Sequence, residues 1–239
     1  QFSILLLFIS VMKIPTSIGV IIDGNRRWAK KEGLLSIEGH MAGKEKLKES
    51  VQWAKEAGIT SVVAYVFSTE NWKRTEEEVS YLFDLLKIVF QSENKFWKDE
   101  QVKIRFIGQL ERLPEDLQRA MKETEKETEE NTAITFVVAL SYGGRSEIVV
   151  AAQRFAELPK ELRESANEDT FTQFLSTYGI PDPDLVIRTG GEKRLSNFLL
   201  WQIAYSELFF VDTLWPDFSK EEFLNILEEF SGRERRHGK

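Results

Sequence analysis

Ile18-Gly19-Val20-Ile21-Ile22-Asp23-Gly24-Asn25-Arg26-Arg27-Trp28 is the stretch that decides the fold. Its first five residues are apolar, rich in β-branched side chains and too few for a helix, so they read as a strand buried on both faces. Asp23-Gly24-Asn25 breaks the run, and a helical pattern opens beyond it. A buried strand feeding a helix through a polar turn is the repeating unit of a parallel sheet. The same reading recurs down the chain, with apolar runs at 61–67, 102–107, 134–140, 185–188 and 208–211. Helical patterns at 43–57, 76–97, 114–130, 145–156, 169–178 and 219–230 alternate with them. This predicts an α/β fold in a single domain, with a central, mostly parallel sheet flanked by helices. Polar or glycine-rich segments follow the strands at 23–25, 68–72, 142–145 and 189–192, and ligands of open α/β sheets gather at such carboxyl ends.

The helical stretch 76–97 is unusual for a surface helix. Val79, Leu82, Phe83, Leu86, Val89 and Phe90, with Tyr81, Leu85 and Ile88 between them, cover more than one apolar stripe. Two roles fit: a helix buried between the sheet and a subunit interface, and a wall of an apolar tunnel.

Composition narrows the chemistry. None of the 239 residues is Cys, which excludes disulfides, thiolate metal sites and Cys nucleophiles, and the cytoplasm is the expected compartment. A net charge of −7 speaks against a nucleic-acid partner, which needs a broad basic face. Arg residues fall instead in local clusters, the pattern suited to a small polyanion held in a pocket. Residues 2–11 form an apolar run, shorter than the about 20 residues that span a bilayer. The segment 1–12 therefore reads as an extension ahead of a start at Met12, one that could touch a membrane, and 13–239 reads as the domain.

Four motifs carry candidate chemistry. At Asp23-Gly24-Asn25-Arg26-Arg27-Trp28, backbone N–H groups of the turn and the Arg27 guanidinium can face an anion. A carboxylate at the rim of such a cradle makes sense if a divalent cation such as Mg²⁺ lies between, although Asp at a strand end also serves as a helix cap. His40, one of only two histidines, precedes the helix predicted from residue 43 and is alone weak evidence of catalysis. Ser68-Thr69-Glu70-Asn71-Trp72-Lys73-Arg74 puts hydroxyl, amide, indole and guanidinium groups on one mobile loop before the apolar helix. Arg188-Thr189-Gly190-Gly191-Glu192-Lys193-Arg194-Leu195-Ser196-Asn197 offers two Arg and a Ser around a double glycine, a second anion site separate from the first.

Taken in order, these segments resemble the cis-prenyltransferases, and within them the bacterial undecaprenyl diphosphate synthases. The resemblance rests on segments 20–25, 27–29 and 67–72, on Gly39-His40 with Gly43, on Tyr142-Gly143-Gly144-Arg145, on 187–192 and 194–207, on Leu214-Trp215-Pro216-Asp217-Phe218 and on 233–236. It implies one sheet with helices enclosing an apolar tunnel, Mg²⁺ as cofactor, and two substrates, isopentenyl diphosphate and an allylic diphosphate such as farnesyl diphosphate. By the same resemblance Asp23 is a metal ligand and a catalytic residue, with Asn71 and Arg74 also catalytic. Gly24, Asn25, Arg26, Arg27, Trp28 and His40, with Ser68 and Trp72 of the loop, bind substrate, and Arg188, Arg194 and Ser196 hold the isopentenyl diphosphate. Glu207 is implied as a second metal carboxylate, and the Arg-rich segment 233–236 as reaching across a homodimer. A lipid product implies peripheral contact with the inner face of the membrane.

Ser17 and Ser36 stand where the family usually carries His and Arg, each removing an anion contact, and Ser141 stands where Asn is common. Val66 and Ile134 are candidates for the tunnel lining, and product length is the property left open. A phosphatase of the haloacid dehalogenase kind would carry a second Asp where this chain has Asn25. A non-catalytic partner subunit of a prenyltransferase complex would not need Asp23, Asn71, Arg188, Arg194 and Glu207 together.

Overall fold

The computed structural model describes residues 13–233. The extension at 1–12 and the segment 234–239, which includes Arg235 and Arg236, lie outside the described residues. In chain order the elements are β1 (Ser17–Ile21), α1 (Asn25–Lys31), α2 (Ser36–Glu56), β2 (Ser61–Ser68), a 3-10 turn (Thr69–Lys73), α3 (Glu76–Ser92) and α4 (Asn94–Asp99). They continue as β3 (Val102–Ile107), α5 (Glu115–Glu127), β4 (Ile134–Tyr142), α6 (Gly144–Ala156), the short α7 (Lys160–Glu164) and α8 (Glu168–Thr172), β5 (Leu185–Arg188), β6 (Glu207–Phe210) and α9 (Lys220–Gly232).

The strands form one six-stranded sheet in the order β3-β4-β2-β1-β5-β6, and each neighbouring pair is parallel. β1 and β5 are buried at every position, as their unbroken apolar runs require, whereas edge strand β3 alternates buried and half-buried residues. One core cluster joins the sheet to α2, α3, α5 and α9, and a second, around Tyr65, Tyr142 and Phe198, fills the opposite face. The chain leaves β1 toward β2 but returns after β4 to the other side of β1. Such a reversal opens a crevice at the carboxyl ends of β1 and β5.

Three helix expectations change. The stretch 76–97 is not continuous: α3 stops at Ser92 and α4 starts at Asn94. The cause is tertiary, because the Thr124 hydroxyl of α5 donates to the Phe90 carbonyl, the group that Asn94 N–H would use in an unbroken helix. Helix α2 begins at Ser36 instead of 43, since the Glu38 carboxylate reaches back to Leu35 N–H at 2.9 Å and caps it. His40 therefore sits inside a helix. The stretch 169–178 shrinks to the short α8 followed by turns. Among the described residues no helix is long and apolar enough to cross a membrane.

Candidate active site

Helices α2 and α3 stand over the sheet and enclose a cavity of about 290 Å³ with a polar mouth and an apolar interior. Leu47 of α2, Leu82, Leu85, Leu86, Val89 and Phe90 of α3, and Val66, Phe136 and Val138 of the sheet line the interior. Of the two lining residues expected from the sequence, Val66 is found there. Ile134 instead lies buried at the start of β4 beside Val102 and is not among the lining residues.

Asp23 leaves β1 at the mouth. Its two carboxylate oxygens are taken by different guanidiniums: Arg27 lies 3.0 Å from one and Arg188 lies 2.9 Å from the other. Arg188 ends β5 beside Ile21 of β1, so strand pairing alone brings it to Asp23. It also donates to the Ser196 hydroxyl at 2.8 Å and to the Arg194 carbonyl. Its Nε is buried with no partner in the protein, leaving one donor that the chain does not satisfy. Arg27 completes the rim by donating to the Gly190 carbonyl at 2.8 Å. The two Arg-bearing segments read as separate in the sequence therefore meet at Asp23.

Gly24 turns the chain with φ 120°, a conformation that disfavours a Cβ. Asn25 is then clasped by α2. A Cβ on Gly39 would stand 2.2 Å from the Asn25 carbonyl oxygen, and one on Gly43 would stand 2.2 Å from its side-chain oxygen, so only glycine lets α2 pack so close. This contact carries His40, one turn before Lys44, to the mouth. In the 3-10 turn the Asn71 side-chain oxygen accepts from Ser68 N–H at 3.0 Å, which leaves the amide donors of Asn71 available. Ser68, Asn71 and Arg74 all border the cavity.

Other expected site residues face elsewhere. Arg26 pairs with Glu78 of α3 at 3.2 Å, and Arg74 reaches the same carboxylate at 3.0 Å. The Trp28 indole donates to Asp217 at 2.6 Å, away from the cavity. Trp72 packs edge-on against Phe67 and Phe83 and donates to Ser141 at 2.9 Å, so it supports the wall behind the turn. The Arg194 side chain is exposed and pairs with Glu192.

Glu207 is not brought to Asp23. It opens β6 level with Leu185 and, through β5, with Ile18, five residues before Asp23. Strand register thus sets Glu207 at the end of the sheet opposite the one that carries Asp23. Glu207 is instead paired with Arg233 at 2.6 Å, and Arg233, expected to reach a partner subunit, is also held by Glu229. Among the described residues no three His, Asp or Glu side chains gather as a metal cage. Asp23 is the one carboxylate lining the cavity. That donor set suits Mg²⁺, which is commonly held by one or two carboxylates and completes its shell with water and substrate phosphate.

Asn197 was not singled out by the sequence reading. Its backbone is left-handed at φ 69°, its carbonyl accepts from Gly144 N–H at 2.7 Å and its side-chain oxygen accepts from Arg145 N–H at 2.9 Å. The amide nitrogen donates to Glu70 of the 3-10 turn at 3.1 Å. The residue thus joins the Ser196 segment to the turn that carries Asn71 and is followed by Arg74. The signal available was Asn itself, which tolerates φ above zero better than other non-glycine residues.

His40 is held neutral: its pKa falls from 6.5 to about 4, first because it is buried, then because of the Arg74 charge, with Glu78 opposing and Arg26 adding. Between those values the unfolded chain binds a proton that the folded chain refuses, so stability rises with pH there and is lost as pH falls from 6.5 toward 4. The drop is at most roughly 3 kcal/mol, at about 1.4 kcal/mol per pH unit. Urea melts at pH 7 and pH 4.5 should show part of this loss, and His40→Asn should remove that part. An imidazole NMR titration with a midpoint near 6.5 would contradict it.

Comparison with known proteins places the chain in a family. Residues 21–238 match the family model described as "Putative undecaprenyl diphosphate synthase". An isoprenyl transferase of Thermotoga maritima is 47% identical over 228 residues, covering 95% of this chain and 98% of that one. One from Aquifex aeolicus is 43% identical over 229 residues, covering 95% and 97%. Among solved structures, lavandulyl diphosphate synthase from Lavandula x intermedia in complex with dimethylallyl diphosphate superimposes with a TM-score of 0.90 at 35% identity, covering 95% of this chain and 99% of that one. A probable undecaprenyl diphosphate synthase from Campylobacter jejuni gives 0.80 at 36% identity, covering 95% and 100%.

Proposed function

This chain belongs to the undecaprenyl diphosphate synthase family of prenyltransferases, and from there we propose that it adds isopentenyl diphosphate to an allylic diphosphate, farnesyl diphosphate being the expected primer, to build a cis-polyprenyl diphosphate of the undecaprenyl kind. The observation that carries this reading is Arg188, which joins Asp23 to Ser196 at the mouth of an apolar cavity.

In the reaction the allylic C–O bond breaks and its electron pair leaves with the diphosphate. The isopentenyl double bond supplies the electrons of the new C–C bond, and a proton lost from the adjacent carbon sets the new double bond. Arg27 and His40, with the Gly24-Asn25 turn, hold the allylic diphosphate. Arg188, Arg194 and Ser196 hold the isopentenyl diphosphate, and Asn71 and Arg74 orient the two from the 3-10 turn. Arg194 must swing from Glu192 to do so, which its exposure permits. Preorganised cations that face the developing negative charge are usually the largest single contribution to such a rate. Asp23 would hold Mg²⁺, which when bound neutralises diphosphate charge and eases its departure.

Two similar anionic heads cannot sort the substrates, so the tails must. At about 0.8 kcal/mol per buried carbon, a fifteen-carbon tail gains on the order of 10 kcal/mol as an upper bound. That exceeds any plausible difference between two Arg-lined sites. We also propose a homodimer and peripheral membrane contact during product release.

Asn197→Ala should lower kcat/KM for isopentenyl diphosphate roughly 10- to 100-fold by releasing the Ser196 segment from the turn, while the thermal melt moves little. Steady-state kinetics with circular dichroism would check it, and an unchanged kcat/KM would remove Asn197 from the account. The whole reading is tested by incubating the protein with farnesyl diphosphate, labelled isopentenyl diphosphate and Mg²⁺. Polyprenyl diphosphates with cis double bonds are expected. No incorporation, or only trans products, would overturn it.

A further inference from the structure

Lys44 and Lys48 stand one turn apart on the face of α2 that lines the cavity, beside Leu47 and across from Leu85 and Val89. Both reach Glu93, the Lys44 ammonium 3.3 Å from one oxygen and the Lys48 ammonium 2.7 Å from the other; both also pair with Glu45 of α2 itself, at 2.5 and 3.6 Å, so Glu93 is the carboxylate that crosses to the opposite wall. The three side chains are only 25%, 18% and 16% exposed, and Lys48 lies 4.6 Å over the Phe96 ring. Glu93 occupies the break between α3 and α4, so the cluster ties α2 to the point where the opposite wall can bend. Along α2, which rises about 1.5 Å per residue, Lys44 and Lys48 lie roughly 6 and 12 Å beyond His40, so the cluster runs from one turn to two turns past the mouth. Charged groups beside a hydrocarbon channel are unfavourable unless paired, and apolar side chains of similar size would line it at less cost. None of the proposed chemistry uses these three.

We infer that Lys44, Lys48 and Glu93 form an ionic latch that shuts the flank of the cavity between α2 and the α3–α4 break, and so limits the length of the chain grown inside it. The inference rests on the proposed function, in which the cavity holds the growing hydrocarbon. With the latch shut the chain is confined to the space whose lining includes Trp97 and Phe136, rings packed 5.7 Å apart. Once that space is full, another five-carbon unit requires the wall to yield or the ions to part. The pairing opposes both: it holds the helices together and offers hydrocarbon no apolar surface on which to pass. Without it the α3–α4 break can move outward and the chain emerges between the helices while elongation continues.

The test sizes radiolabelled products of the parent chain, Glu93→Gln, the double variant Lys44→Met with Lys48→Met, and the charge swap Lys48→Glu with Glu93→Lys made in the Lys44→Met background so that no second ammonium opposes the new lysine, all with farnesyl diphosphate, isopentenyl diphosphate and Mg²⁺. The first two variants should lengthen the principal product by at least one five-carbon unit, with the first condensation within about threefold of the parent rate, well below the loss of a site contact. The charge swap should return the length to that of the parent. Unchanged or shorter products from both uncharged variants would overturn the latch, as would a charge swap that lengthens products as much as they do. Should either fail to fold by circular dichroism, Lys44→Gln with Lys48→Gln, which removes both ion pairs while keeping polar side chains, is read by the same criterion. No product from the parent chain would instead overturn the functional reading, and the latch with it.

Discussion

Asp23→Ala lowers turnover by about 10²- to 10³-fold, the usual cost of removing one preorganised charge contact from an active site. The carboxylate holds Arg27 and Arg188 on separate oxygens, and its loss frees both guanidiniums at once. The pair with Arg27 is screened by solvent and adds little to stability, but Arg188 is buried and would lose its carboxylate partner, so a thermal melt of each variant separates lost folding from lost catalysis. Asp23→Asn separates the remaining roles. It keeps the shape and one acceptor but not the charge, so a structural role predicts near-parental activity and an electrostatic role predicts a loss close to that of Ala. Steady-state rates across a Mg²⁺ titration measure this. Activity within about threefold of the parent would remove Asp23 from the metal and leaving-group roles.

Arg188→Met should be nearly as severe, cutting kcat/KM for isopentenyl diphosphate by about 10²-fold or more. The side chain is buried and bridges Asp23, the Ser196 hydroxyl and the Arg194 carbonyl. Truncating one member of a buried, hydrogen-bonded charge set typically costs 2–5 kcal/mol, and each 1.4 kcal/mol is tenfold. Arg188→Lys should recover less than about a tenth of the lost efficiency, because a single ammonium cannot span the fork between Asp23 and Ser196. Kinetics with isopentenyl diphosphate varied at saturating primer would show it. If Lys restores parental values, the bridge adds nothing beyond charge.

Much of this was legible in the sequence because strands buried on both faces admit little but apolar side chains. All six strand runs lie where they were read, to within two residues at their ends. Asp23 and Arg188 were legible for the same reason, each being the polar residue that ends such a run. What escaped was set by contacts between distant segments. The break at Glu93 depends on Thr124, 31 positions later, and no local signal marks it. The inward turn of His40 depends on Gly39 and Gly43 meeting Asn25. Trp28 and Trp72 were assigned to substrate by resemblance, whereas their indoles donate to Asp217 and Ser141. Glu207 was assigned by resemblance, and only strand register reveals that it sits at the far end of the sheet.

The proposed function places two diphosphates beside Asp23 above one apolar cavity. A crystal structure of the protein with Mg²⁺, isopentenyl diphosphate and a non-reactive thio analogue of farnesyl diphosphate tests it most directly. The account predicts one diphosphate against Arg27 and His40, the other against Arg188, Arg194 and Ser196, and the hydrocarbon tail between Leu47 and Leu85. A tail outside that cavity, or both diphosphates away from Asp23, would contradict it.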